Sequence, residues 1–133
     1  FEFGKLRYLK RGDSDLCILS YGIIMSMAFE VADNLKSEAG VQASIISVHT
    51  IKPLDEEGVK EVLKSHKRVV VIEEHVPHGA LSSRIKEIAW DNSIDCDVKA
   101  FTLKDEFIHF YGDYKELLEK HGLSATKITS KLK

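Results

Sequence analysis

The sequence predicts a three-layer α/β/α domain built on a five-stranded mixed sheet whose first strand is antiparallel. Continuous apolar runs bounded by turn residues predict strands buried on both faces, and residues 16–20 are one such run. Apolar residues at helical spacing alternate with these runs, which is typical of parallel strands covered by helices. The chain has 133 residues, a length that fits one domain. We therefore interpret residues 1–133 as a single domain.

A short link joins the first two predicted strands. Residues 5–10 alternate basic and apolar side chains, which is typical of a half-exposed edge strand whose lysines discourage further pairing. Residues 11–14 (RGDS) have turn chemistry, and a link this short favours an antiparallel return. Residues 16–20 (LCILS) then form a buried strand. The first strand is therefore predicted to run against the others.

Helices and strands alternate through the middle of the chain. Apolar residues recur at helical spacing over residues 24–39, and Gly40 is expected to end this helix. Residues 43–48 predict the next buried strand. Asp55 is the expected N-cap of a second helix, whose first turn carries two acids where the helix dipole favours them. Residues 68–74 contain a Val-Val-Val-Ile run and predict the clearest strand of the chain.

The last third of the chain continues this pattern and then closes with helices. Residues 80–90 predict a third helix, and residues 98–103 predict the last strand. A further helix is expected over residues 113–121 with Gly122 as its stop, and a short final helix begins after Ser124.

Composition and charge exclude several classes of protein. Apolar residues make up 44% of the chain and charged residues 30%, so the chain is neither disordered by composition nor membrane-spanning. A formal net charge of −2 gives no electrostatic footprint for nucleic acid. Cys17 and Cys96 are expected to be free thiols in a reducing compartment, which predicts a cytoplasmic protein. The first residue is Phe, so the chain is expected to be a piece of a longer polypeptide.

Topology predicts where functional residues gather. Ligands of open α/β sheets bind beyond the carboxyl ends of the strands, at the point where the strand order reverses. Tyr21 and Gly22 follow the first buried strand, and His49 follows the next. The densest group of polar residues follows the third, over residues 73–79 (EEHVPHG). Its acids and histidines fit acid–base chemistry or anion binding, although a loop at an exposed surface or an interface is the simpler interpretation. The candidates in this loop are Glu74, His75, His78 and Gly79.

Residues 107–111 are a second candidate surface. Four of these five residues are apolar, in the order Phe-Ile-His-Phe-Tyr. They either pack into the core or form a place where a missing domain or a second copy docks. The candidates are Phe107, Phe110 and Tyr111.

Metal and phosphate signals are weak. A zinc site built from His49, His75 and His78 lacks the ligand spacing of established zinc motifs, so no metal ligand is assigned. Neither a Gly-x-Gly-x-x-Gly sequence nor a Walker loop occurs. Gly22 and Gly79 each lie near a helix start, which leaves a stand-alone module that binds an anion or a nucleotide as an alternative.

Four segments resemble one family. Residues 15–22 (DLCILSYG), a long helix, and residues 48–55 (VHTIKPLD) are similar to the C-terminal domain of transketolase-type enzymes. The strand 69–72 runs on into Glu-Glu-His and then Gly79, as it does in that family, and residues 117–124 (LLEKHGLS) resemble the family's closing segment. Close variants of this domain occur in the β chain of 2-oxoacid dehydrogenases and in deoxyxylulose-phosphate synthase.

The resemblance implies one part of a thiamine-dependent enzyme. In this family two other domains hold thiamine diphosphate and Mg²⁺, so the resemblance implies no cofactor and no catalytic residue in this chain. It implies that the parent enzyme transfers a two-carbon ketol unit or, as the dehydrogenase alternative, decarboxylates a 2-oxo acid. The domain alone is not expected to be an enzyme. Its implied role is to join other domains or subunits in a homodimer or heterotetramer and to border the substrate channel.

Overall fold

The computed structural model describes residues 1–133 and contains five strands and five α-helices. The strands are β1 Arg7–Lys10, β2 Leu16–Ser20, β3 Ser44–Ser47, β4 Arg68–Ile72 and β5 Asp97–Phe101. The helices are α1 Met25–Ala39, α2 Glu56–Ser65, α3 Leu81–Asp91, α4 Tyr114–Lys120 and α5 Ala125–Leu132. Each predicted strand and helix is present, and most predicted strands extend one or two residues beyond the observed ones. None of the helices has both the length and the apolar character needed to cross a bilayer.

The five strands form one mixed sheet in the order β1-β3-β2-β4-β5. Strands β3, β2, β4 and β5 are parallel, and β1 is antiparallel to its neighbour. The predicted fold class is thereby confirmed. One detail of the prediction is wrong, because β1 does not return onto the strand that follows it in the chain. It pairs instead with β3, with Arg7 opposite Ser47.

The short link after β1 crosses the amino end of β3 instead of forming a hairpin. The Gly12 backbone N–H donates to the Ser44 hydroxyl at 3.1 Å, and the Ser14 hydroxyl donates to the Gln42 carbonyl at 2.8 Å. A Cβ placed on Gly12 would lie 1.8 Å from the Gln42 carbonyl oxygen. Only glycine fits this crossing, which lets β2 enter the sheet on the far side of β3.

Two apolar layers cover the two faces of the sheet. In β2, Leu16 and Ile18 face the layer of α1, α4 and α5, whereas Cys17 and Leu19 face the layer of α2 and α3. Successive strand residues point to opposite faces, so one strand contributes to both cores. The uninterrupted apolar runs of β2 and β4 follow from their central places in the sheet.

The crossing at Gly12 makes a testable prediction about stability. Gly12→Ala should lower the free energy of unfolding by about 1–3 kcal/mol, because the added methyl group meets a backbone carbonyl. Urea denaturation measures this loss. Asp13→Ala is the matched control, since it adds no bulk and changes the exposed side chain next to Gly12 in the same link. Equal losses in the two variants would contradict the crossing.

Candidate functional site

The carboxyl ends of the parallel strands place most of the predicted residues along one edge of the sheet. Tyr21 and Gly22 follow β2, His49 lies just beyond β3, and residues 73–79 follow β4. Because β1 runs in the opposite direction, the residues before Arg7 also reach this edge. The structure brings Tyr21 into contact with the loop after β4, whereas His49 contacts the N-terminal segment.

Glu73 is the buried centre of this edge, with a solvent-exposed fraction of 0%. Its carboxylate accepts the backbone N–H of Leu81 at 3.1 Å and that of Ser82 at 2.9 Å. Both N–H groups belong to the first turn of α3, whose N-cap residue Ala80 supplies no side-chain bond. A carboxylate from the end of β4 therefore caps the helix, and its negative charge lies where the helix dipole is positive.

Tyr21 supplies the third donor to this carboxylate. Its hydroxyl donates to Glu73 Oε2 at 3.0 Å. Burial, together with the negative charges of Glu73 and Glu74, raises the pKa of Tyr21 to about 12. The phenol therefore stays protonated at neutral pH and acts as a donor. With three donors directed at it, the Glu73 carboxylate acts as a structural anion and is not positioned as a general base.

The loop of residues 75–79 is ordered by its own hydrogen bonds. The Ser83 hydroxyl donates to the Pro77 carbonyl at 2.8 Å and accepts the Gly79 N–H at 3.2 Å. Gly79 has a φ of 78°, a conformation that favours glycine. His75 Nδ1 lies 2.9 Å from the Val76 carbonyl oxygen, which can only accept, so this nitrogen is the donor. The rings of His75 and His78 are exposed.

Glu74 joins this loop to the first residue of α4. The Tyr114 hydroxyl donates to the Glu74 carboxylate at 2.8 Å. Burial and the charge of Glu74 raise the pKa of Tyr114 to about 12, so this bond also has a protonated donor at neutral pH. On the other side of the loop, the His75 carbonyl accepts the Leu103 N–H at 2.9 Å. Residues 104–113 are therefore held at the same edge as the loop.

Residues 107–111 divide between exposure and packing. Phe107 is 86% exposed and Tyr111 is 101% exposed, so neither belongs to the core. Phe110 is half-buried; its ring lies 6.2 Å from the ring of His121 and 4.2 Å from the ammonium group of Lys120. His121 in turn accepts the Lys104 N–H at Nδ1. Phe110 anchors the segment, and its neighbours face solvent.

His49 takes part in a different set of contacts. Its Nε2 lies 3.1 Å from the Glu2 carbonyl, and its ring centroid lies 4.4 Å from that of Phe1. Thr50 beside it accepts the Gly4 N–H. The three histidines His49, His75 and His78 do not converge on one point, and the structure holds no group of three or more His, Cys, Asp or Glu residues suited to a metal ion.

Sequence reasoning missed two features of this edge. The first is the capping role of Glu73, for which the signal was an acid at a strand end eight residues before a helix without a cap of its own. The second is the concentration of exposed apolar side chains: seven of the ten large ones lie here. We call these seven the carboxyl-end surface. They are Phe1, Phe3, Ile23, Phe107, Ile108, Tyr111 and Tyr114.

The residues of this edge do not fit a metal-bound diphosphate cofactor. Such a group needs oxygen ligands for the metal and unpaired N–H groups for the phosphates. The first-turn N–H groups of Leu81 and Ser82 are taken by Glu73, and the acidic side chains do not cluster around a common point. The geometry instead describes a rigid loop next to an exposed apolar surface, which is an arrangement typical of contact with other protein.

Comparison with known proteins points to one family. A family described as transketolase, C-terminal domain, matches residues 4–128. Among curated proteins, the 1-deoxy-D-xylulose-5-phosphate synthase of Heliobacterium modesticaldum is 32% identical over 125 residues, which cover 94% of this chain and 19% of that enzyme. The chain thus spans about a fifth of the length of the curated relatives it matches.

Solved structures agree with this match. A split-gene transketolase, described as an inactive β4 tetramer, is 31% identical with a TM-score of 0.85, covering 98% of this chain and 41% of that one. Transketolase from Campylobacter jejuni has a TM-score of 0.68 at 18% identity, covering 97% of this chain and 18% of that one. The second likeness supports the fold alone.

The capping of α3 predicts a large effect of Glu73 on stability. Glu73→Ala should lower the free energy of unfolding by about 3 kcal/mol or more, because three donors lose their acceptor at about 1–3 kcal/mol each. Urea denaturation followed by circular dichroism measures the loss. Glu74→Ala is the matched control: it removes the adjacent, exposed carboxylate and should cost less than about 1 kcal/mol. Similar losses in both variants would contradict the cap.

The Tyr21–Glu73 bond also predicts how stability falls in alkali. The pKa of Tyr21 rises from 10.0 to about 12 on folding, so the unfolded chain loses this proton first. Stability from this bond is full below pH 10 and is lost as the pH rises through about 12. Tyr21→Phe should make the loss between pH 10 and 11.5 shallower in urea titrations, relative to wild type. Tyr111→Phe, on a fully exposed ring, should leave the slope unchanged.

Proposed function

Since the chain belongs to the family of transketolase C-terminal domains, we propose that it is the C-terminal domain of a longer thiamine-diphosphate-dependent transferase. In this proposal the whole enzyme transfers a two-carbon ketol unit to an aldehyde sugar phosphate. The name of the curated relatives, 1-deoxy-D-xylulose-5-phosphate synthase, supports a ketose phosphate as the product. Their greater length supports additional domains, either on the same polypeptide or on a partner subunit.

The domain's own task is to hold the enzyme together. The observation that carries this proposal is the carboxyl-end surface, where seven large apolar side chains face solvent at one edge of the sheet. Patches of this kind on a folded domain mark contact with other protein. The other domains or subunits of the enzyme, assembled as a homodimer or heterotetramer, would cover this surface.

A second task is to border the substrate passage. Glu74, His75 and His78 lie on an ordered loop at the edge of the carboxyl-end surface, with both imidazole rings exposed. Exposed imidazole N–H groups beside an interface are suited to donating hydrogen bonds to a phosphorylated sugar as it enters, and Glu74 holds the loop in place through Tyr114. Thiamine diphosphate and Mg²⁺ would be held by the other domains. The reaction chemistry belongs to that cofactor, and this chain would supply framing.

The alternatives have less support. A stand-alone module for an anion or nucleotide would use the amino end of α3, but Glu73 already supplies an internal anion there. A role as the C-terminal domain of a 2-oxoacid dehydrogenase β chain is also an alternative, but every observation that supports it supports ketol transfer equally well. The two free thiols, buried Cys17 and half-buried Cys96, agree with our proposal that the enzyme works in the reducing cytoplasm.

The test uses the native enzyme that carries this chain. Phe107→Glu and Tyr111→Glu each place a charge in the carboxyl-end surface and should weaken the assembly about tenfold or more, because an apolar contact is replaced by a buried, unpaired carboxylate. Analytical ultracentrifugation measures assembly. With thiamine diphosphate and Mg²⁺ present, formation of a ketose phosphate from glyceraldehyde phosphate and a ketose phosphate donor measures ketol transfer. With pyruvate as the donor, the same assay measures transfer of the two-carbon unit that remains after loss of CO₂, and the product is a 1-deoxyketose phosphate.

The control is Leu9→Glu, which changes an exposed apolar residue of β1 outside the carboxyl-end surface. This variant should assemble and react as wild type does. Normal assembly of both surface variants would reject the docking role. Absence of thiamine-dependent transfer with both donors in the wild-type enzyme would reject the proposed function, whatever the variants do. Transfer from pyruvate alone would replace ketol transfer by decarboxylative transfer.

A further inference from the structure

Strand β5 is an open edge of the sheet. It pairs with β4 only. The Asp97 N–H donates to the Lys67 carbonyl at 2.9 Å, and the Phe101 carbonyl accepts the Glu73 N–H at 3.1 Å. Backbone groups alternate in direction along a strand, so Asp97, Lys99 and Phe101 bond to β4. The N–H and C=O groups of Val98 and Ala100 therefore point outward, away from the sheet.

The opposite edge of the sheet is protected against pairing. Strand β1 carries only positive charges, at Arg7 and Lys10, and its register is interrupted between Tyr8 and Lys10. A second copy placed antiparallel along β1 would bring these positive charges together. Lysines and irregularities of this kind are how natural proteins prevent unwanted pairing at an edge.

The charges of β5 differ from those of β1, because β5 carries one acid and one base that can pair with the same two residues of a second copy. The side chains of Asp97 and Lys99 lie on one face of the strand, on either side of Val98, whose side chain points to the other face. About half of each charged side chain is exposed. Consider a second copy of β5 related by a twofold axis at Val98. Antiparallel pairing would then place Asp97 of each copy opposite Lys99 of the other, and opposite charges in that position stabilise a strand pair. The outward backbone groups of Val98 would bond to those of the second Val98.

An apolar groove runs beside this edge. The end of α3, the following turn and β5 enclose an open volume of about 590 Å³, lined mainly by apolar residues. Trp90 stands at the groove, and its side chain is 86% exposed. Pairing at β5 would set two such grooves next to each other over the joint, so each Trp90 would be covered by the opposite copy.

We propose that β5 pairs with β5 of a second copy of this chain, in antiparallel register about Val98, to form one continuous ten-stranded sheet. We expect a second copy here because, in this register, Asp97 of each copy lies opposite Lys99 of the other. Two copies of β1 paired in the same antiparallel way would instead bring positive charges together. This interface is separate from the carboxyl-end surface. It therefore joins two copies of the domain without covering the surface proposed to contact the rest of the enzyme.

Charge exchange on the native polypeptide that carries this chain tests the pairing. Lys99→Glu sets an acid opposite Asp97 and should raise the dissociation constant between copies about tenfold, measured by sedimentation over a range of concentrations. Asp97→Lys should do the same. The double variant Asp97→Lys/Lys99→Asp restores opposite charges and should return the constant to within about threefold of wild type. Arg7→Glu at the other edge is the control and should have no effect.

A second measurement tests the register itself. In antiparallel strands the Asp97–Lys99 positions form a non-hydrogen-bonded pair, whose Cα separation of about 4.5 Å suits a disulfide. A mixture of the Asp97→Cys and Lys99→Cys variants should cross-link under mild oxidation, and peptide mass spectrometry should identify the 97–99 bond. Each variant alone should give at least about fivefold less product, because its own cysteines lie diagonally across the joint.

Three outcomes would overturn the proposal. The first is a wild-type polypeptide that sediments with only one copy of this chain per particle. This outcome includes a particle in which a different subunit, and not a second copy, covers Trp90. The second is an association between copies that none of the β5 charge variants alters. The third is a double variant that behaves like the single variants, since that would show a general effect of charge and not a pairing of these two positions.

Discussion

The Glu73 carboxylate connects three parts of the structure at one buried point. Glu73 directly follows β4, and its carboxylate caps the first turn of α3 and accepts a hydrogen bond from the hydroxyl of Tyr21, which directly follows β2. A charged group without solvent is costly unless donors surround it, and here two backbone N–H groups and a phenol do so. Because the partners come from different elements, this one interaction ties the first turn of α3 to the ends of β2 and β4.

The direction of β1 decides what the same edge presents to solvent. By pairing with β3, this strand brings the N-terminal segment to the carboxyl ends of the other strands, where Phe1 lies against His49. The segment after β5 reaches the same edge through Leu103 and Tyr114. Two stretches that lie about a hundred residues apart in the chain thus present apolar side chains at the same edge of the sheet.

The two surfaces for which we propose contacts lie in different directions on the domain. The carboxyl-end surface lies beyond the strand ends, whereas β5 is a lateral edge along the strand direction. Ordered loops and a buried charge network keep the first surface in place, and the second depends only on a regular strand. This separation suits a domain that frames a larger assembly, because either surface can be covered while the other stays accessible.

Local sequence patterns were sufficient to predict much of the fold. Each central strand was predictable from an unbroken apolar run, since a strand covered on both faces has no polar positions. The cap at Asp55, the stop at Gly40 and the gathering of Tyr21 with the loop after β4 followed from local chemistry and parallel topology.

Other features depended on contacts between distant residues. The pairing of β1 required the Gly12 backbone to pass against Gln42, and His49 turned toward Phe1 and Glu2 instead of the loop after β4. The sequence by itself determined the elements and their order, because these depend on neighbouring residues. Only the tertiary structure decided the partner of β1, the burial of Glu73 and the exposure of Phe107 and Tyr111, because each depends on which distant groups come within bonding distance.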